Sequence, residues 1–88
     1  MRPREKFVSF GTEVLSDAEL MAMLIGSGRL EQSAVALCEA ILKAVGGRLD
    51  LLTVHDHKSL SRFKGIGLAK SSAILAALEL GRRMCAVG

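Results

Sequence analysis

Glycine placement constrains this chain more than any other feature. Gly11, Gly26 with Gly28, Gly46 with Gly47, and Gly65 with Gly67 cut the 88 residues into short stretches whose apolar residues recur at helical spacing. Pro3 suits the first turn of a helix over residues 3–10 that Gly11 ends. Ser16 and Glu19 form a capping box for the next helix, with Leu15 placed to staple onto it and Leu20, Met23 and Leu24 as its apolar repeat. A third helix runs from about Glu31 to Val45 and stops at Gly46-Gly47; its stripe is Val35, Leu37, Cys38, Ile41, Leu42 and Val45. Residues 49–54 make one or two helical turns, and Asp56 caps a short helix carrying Leu60 and Phe63. The longest helix starts near Leu68 and reaches about Arg83. Ala69, Ala73, Ala76, Ala77 and Leu80 form its expected packing face, with Ile74 and Leu78 beside them.

Composition agrees with that punctuation. Half the residues are hydrophobic, yet only Phe7, Phe10 and Phe63 are aromatic, and no alternating Val/Ile/Thr/Tyr run is present. The expected fold is all-α: a small bundle of about five helices forming a single domain over residues 1–88.

Several function classes fall away at this stage. No apolar run approaches the roughly 18 to 20 residues of a membrane span, and residues 1–10 lack the apolar core of a secretory signal. A cytoplasmic location without a membrane partner is therefore expected. Cys38 and Cys85 stand apart from each other and from any ligand cluster, as reduced cysteines do. His55-Asp56-His57 has the look of half a metal site, but no third ligand follows at usable spacing, and Asp56 is better read as a helix cap. No metal and no cofactor is expected in this domain.

Charge is unevenly placed. Residues 1–57 hold six Lys/Arg against eight Asp/Glu, whereas residues 58–88 hold six Lys/Arg against Glu79 alone. The basic segment surrounds "SLSRFKGIGLAKSSAI", residues 59–74. An apolar residue between two glycines can anchor a tight reversal, leaving loop amides and a helix N-terminus outward, where they suit a phosphate oxygen. With Leu60, Phe63, Gly65, Ile66, Gly67 and Ala73 in place, the pattern resembles the helix-hairpin-helix motif, which binds the DNA backbone largely without reading sequence. The candidate phosphate-binding residues are Arg62, Lys64, Gly65, Ile66, Gly67, Leu68 and Lys70. The hairpin carbonyls also leave room for a monovalent cation. A weak echo earlier in the chain gives a second, degenerate candidate at Gly26, Ser27, Gly28 and Arg29, with Glu31 as an unfavourable neighbouring anion.

Read together, "RPREK", "LSDAELMAMLIGSG" and "FKGIGLAKSSAILAALELGRR" resemble the N-terminal region of the RadC-like proteins, the UPF0758 family, over about residues 2–83. The resemblance implies a bacterial, cytosolic protein of a family named for DNA repair. It also implies a C-terminal domain similar to the JAB/MPN metal-dependent peptidases, absent from these 88 residues together with its zinc. The leading expectation is a non-enzymatic module that binds the backbone of double-stranded DNA. An alternative is a docking domain that positions the C-terminal domain, with Phe7, Phe10, Met21 and Met23 as an exposed apolar patch. A glycosylase-like enzyme is the third class. Asp17, Asp50 and Asp56 all read as caps or first-turn residues, and 88 residues leave little room for a base pocket.

Overall fold

Local capping chemistry sets the helix boundaries in the computed structural model, which describes residues 1–26 and 30–87. The elements in order are α1 (Pro3–Phe10), α2 (Asp17–Ile25), α3 (Glu31–Ala44), a 3-10 segment (Leu49–Val54), α4 (His57–Leu60) and α5 (Leu68–Val87). Among the described residues there is no strand, and the all-α expectation holds.

Two reciprocal capping boxes open α2 and α4. The Glu19 N–H donates to Ser16 Oγ at 3.1 Å, and the Ser16 N–H donates to Glu19 Oε1 at 2.9 Å. At α4 the Ser59 N–H donates to Asp56 Oδ1 at 2.9 Å while the Asp56 N–H donates to Ser59 Oγ at 3.0 Å. Each box satisfies two backbone donors that a helix start otherwise leaves open, worth about 1 kcal/mol for the cap. At the other end of α3, the Gly46 and Gly47 N–H groups donate to the carbonyls of Lys43 and Leu42.

The core lies where α2, α3 and α5 meet. Ala22, Cys38, Ile41, Leu52, Leu60 and Ile74 are buried there, and Ile66 joins them from the loop before α5. Three sequence expectations need correction. On α2, the buried face is Ala18, Met21 and Ala22; Leu20 and Leu24 are exposed and Met23 is only half-buried. Every side of α2 carries an apolar residue, so spacing alone could not select the face. The two alanines do so because they let α3 approach closely.

On α5, Ser71 and Ile74 are buried with Leu75 and Leu78 half-buried, whereas Ala69, Ala76 and Leu80 are exposed. Ser71 serves as a small core residue because its hydroxyl donates to the Leu68 carbonyl at 3.1 Å and needs no other partner. The apolar patch expected from Phe7, Phe10, Met21 and Met23 does not form as a unit, since Met21 is buried. The Cys38 thiol is pushed up to about 11 by burial, opposed by the positive charge of Lys70. It is neutral at physiological pH.

Candidate nucleic-acid interface

Between α4 and α5 the chain reverses through successive tight turns. The Phe63 N–H donates to the Leu60 carbonyl, and the Ile66 N–H donates to the Phe63 carbonyl, both at 3.1 Å. Gly65 sits at φ +92°, a backbone conformation that a residue with a Cβ adopts only under strain. That reversal turns Ile66 inward, where it is 4% exposed. The loop is thus pinned to the core by one side chain, and its backbone is left outside.

The first hydrogen bond of α5 runs from the Ser71 N–H to the Gly67 carbonyl at 3.0 Å. The N–H groups of Leu68, Ala69 and Lys70 precede that ladder, as the opening donors of any helix do. No acid stands in the first turn. These donors therefore meet solvent at the positive end of a 20-residue helix dipole.

Cationic side chains divide sharply by partner. Arg2, Arg4, Lys6 and Arg48 pair with Glu5, Glu31, Glu19 and Asp50, and Arg82 and Arg83 both pair with Glu79. Among the described residues, Lys43, Lys58, Arg62, Lys64 and Lys70 have no acidic partner. Four of those five lie between residues 58 and 70. Arg82 and Arg83, which the sequence counts in the basic segment 58–88 but far along the helix from the hairpin, both pair with Glu79, and the two arginines in turn hold its carboxyl at about 2.

Lys70 takes a position the sequence did not anticipate. Its Nζ donates to the Gly65 carbonyl at 3.1 Å, bracing the reversal from outside. One ammonium donor is spent on the loop, and two remain for an incoming acceptor. Lys70 also lines a cleft with Gly26, Ser33 and Leu37, so the two glycine-containing corners face a common space.

The first corner is built differently. Arg4 donates through Nη1 to the Gly26 carbonyl at 3.2 Å and through Nη2 to the Met23 carbonyl at 3.1 Å, closing the C-terminal end of α2. The same guanidinium is ion-paired to Glu31, whose other oxygen accepts the Arg4 backbone N–H at 2.8 Å. Glu31 is 1% exposed. A Cβ on Gly26 would lie 2.9 Å from Ala34 Cβ and 3.1 Å from the Ala22 carbonyl oxygen, so glycine is needed for close approach and not for conformation. Of the second candidate site, the Gly26 carbonyl is thus held by Arg4, and Ser27, Gly28 and Arg29 lie outside the described residues.

No cluster of three His, Cys, Asp or Glu side chains suited to a metal occurs among the described residues. Asp56 caps α4, and His55 Nδ1 shares a 3.0 Å hydrogen bond with Ser59 Oγ. Among the described residues, no helix is long and apolar enough to cross a membrane.

The model of the UPF0758 N-terminal region matches residues 1–72, which takes in both glycine corners and Lys70. The chain belongs to the UPF0758 family. A UPF0758 protein of Flavobacterium johnsoniae is 56% identical over 82 residues, spanning 93% of this chain and 35% of the relative. One from Carboxydothermus hydrogenoformans is 47% identical over 83 residues, 94% of this chain and 36% of the relative. A third, from Syntrophomonas wolfei, is 44% identical over 84 residues, 96% of this chain and 36% of the relative. The chain thus spans about a third of the length of the UPF0758 relatives it matches. No solved structure matches it.

Within this UPF0758 region, sequence reasoning placed the second corner and missed the clasp at the first. Arg4 and Glu31 are 27 residues apart, and neither has a local partner that would mark it. The one available signal was Glu31 itself, an acid beside a glycine-rich junction and unfavourable for an anion site there.

Proposed function

We propose that residues 62–70 form a helix-hairpin-helix element that grips the phosphate backbone of double-stranded DNA, largely without regard to sequence. The observation that carries this reading is the convergence of two features on one surface. The open N–H groups of Leu68, Ala69 and Lys70 lie at the start of α5, and the exposed Arg62, Lys64 and Lys70, without an acidic partner among the described residues, adjoin them along the chain. Amides at a helix start bind one phosphate oxygen with directional hydrogen bonds. The cations add attraction to neighbouring phosphates and orient the duplex without reading bases. Gly67 supports the reading as well, because its φ is not positive and, among the described residues, nothing beyond its chain neighbours lies within 4 Å of where its Cβ would be. The chain does not require glycine there for space or for a left-handed conformation, whereas close approach of a phosphate to the backbone does.

In this reading the module is non-enzymatic and supplies DNA affinity to the longer proteins of a family that resembles the RadC-like repair proteins. Fluorescence anisotropy with a labelled short duplex at several salt concentrations tests it. Affinity falls by about one to three log units per tenfold rise in salt, as expected when a few phosphates are neutralised. Lys64→Ala lowers that slope by about one. Absence of binding at low salt, or a slope unchanged in the variant, overturns the reading.

A further inference from the structure

Beyond Glu79, α5 leaves the bundle. Residues 80–87 are exposed on every side, yet their apolar side chains are not scattered. Ala73, Ala77, Leu80, Met84 and Val87 follow one another at steps of four, three, four and three, the alternation of a coiled-coil seam. The first two are half-buried at the bundle edge, and Ala77 lines a groove with Leu20, Leu24 and Leu49. The last three stand open: Leu80 is 64% exposed, Met84 77% and Val87 87%. Gly81 lies beside Leu80 and Met84, in the middle of a helix, where glycine is unfavourable. Outside its own helix turn, nothing among the described residues lies within 4 Å of the position its Cβ would take. A notch flanking a seam lets a partner backbone come close.

The seam is too short to hold two free copies together. From Ala73 to Val87 it runs about 21 Å at the rise of an α-helix, two heptads where free coiled coils sustain three or four. A partner joined through the same polypeptide needs far less surface, because tethering supplies an effective concentration in the millimolar range. The matching family model is of an N-terminal region, and the relatives are nearly three times as long as the part aligned. In those proteins the polypeptide continues from the end of α5, beside the seam.

The geometry points to the Leu80–Met84–Val87 seam with its Gly81 notch as the seat of an apolar helix from the polypeptide that follows this region in the longer UPF0758 proteins. This assignment is independent of DNA binding, since the seam and the hairpin occupy opposite ends of α5.

A fusion tests it: this chain followed by the part of the Flavobacterium johnsoniae relative C-terminal to the aligned region, compared with the 88-residue chain alone. Hydrogen exchange at residues 80–87 slows at least tenfold in the fusion, and Leu80→Asp with Met84→Asp restores fast exchange there without altering residues 16–42. Gly81→Leu separates docking from simple helix stabilisation. In the 88-residue chain it slows exchange, because leucine favours helix and meets open space, whereas in the fusion it speeds exchange by filling the notch. Equal exchange in fusion and chain overturns the assignment. So does protection that appears in the 88-residue chain with rising concentration, which assigns the seam to a second copy, and so does Gly81→Leu slowing exchange in both.

Discussion

The two glycine corners use the same residue for different physical reasons. At Gly26 glycine makes room, since a Cβ would collide with Ala34 and the Ala22 carbonyl. At Gly65 it provides conformation, at φ +92°, and an added Cβ would meet only Leu37 Cδ2 at 3.4 Å. Both carbonyls accept a hydrogen bond from a cationic side chain, Arg4 at the first and Lys70 at the second. The difference lies in what happens to the charge. Arg4 is answered by the buried Glu31, so among the described residues the charge at the first corner is balanced and closed off. Lys70 has no acidic partner among the described residues, and the second corner stays positive beside open amides. Glycine therefore serves both places, Gly26 and Gly65, and the charge of the described residues around each is what differs.

The sharpest way to break that comparison is to unbalance the closed corner. Glu31→Gln removes the buried carboxylate that holds both the Arg4 backbone N–H and its guanidinium. Arg4 is half-exposed and can return to water, so the loss should be about 2–3 kcal/mol of unfolding free energy. Urea denaturation checks this; a loss below about 0.5 kcal/mol would show that the clasp is incidental.

Next in size come the glycines themselves. Gly26→Ala overpacks against α3 and should cost about 1–3 kcal/mol, and Gly65→Ala imposes left-handed strain of about 1–2 kcal/mol. The origin of each loss is separable by a second substitution. Ala34→Gly, which relieves the shortest of the contacts at Gly26, should recover part of the Gly26→Ala loss in a double-mutant cycle, whereas Leu37→Ala should recover little of the loss at Gly65. Equal rescue at both corners would erase the distinction.

Gly67→Ser isolates function from folding. Serine is a good residue for a helix start and fits a non-positive φ, so stability should stay within about 0.5 kcal/mol. Duplex affinity should nevertheless drop several-fold, because the added side chain stands where a phosphate approaches. Unchanged affinity would return Gly67 to a plain turn residue.

The smallest effect concerns acid. Hydrogen bonds from Arg82 and then Arg83 hold the Glu79 carboxyl at about 2, below its ordinary 4.5. A carboxyl depressed by folding stabilises the folded form above its ordinary value and loses that contribution as pH falls from about 4.5 toward 2. Because the group is exposed, helicity at the end of α5 should decline only modestly over that interval. Circular dichroism of Glu79→Gln should show a flatter acid limb than the unmodified chain.

What could be read from sequence was what local chemistry decides. The capping box at Ser16, the Asp56 cap and the stops at Gly11 and Gly46 each depend on residues a few positions apart, and all appear where spacing placed them; that Ser59 makes the Asp56 cap a reciprocal box was not read from the sequence. The faces of α2 and α5 were not legible. Alanine and leucine surround both helices, and the choice among faces is made by what packs against them. The Gly65–Ile66 reversal was legible because its pattern is contiguous. The role of Lys70 as a brace was not, since a lysine one turn into a helix reads first as free charge.

The Arg4–Glu31 clasp has a consequence for how this chain comes apart. In α1 only Pro3 is buried, and eight residues make too short a helix to persist by itself in water. Its attachment rests on the clasp and on the Lys6–Glu19 ion pair, whose carboxylate also belongs to the α2 capping box. Loss of these few polar contacts would release residues 1–11 as one unit while the core from Leu15 onward stays folded. Of the segments packed onto the bundle, the N-terminal helix is therefore the one that opens before the core, and it should offer a protease a foothold while the core is still folded.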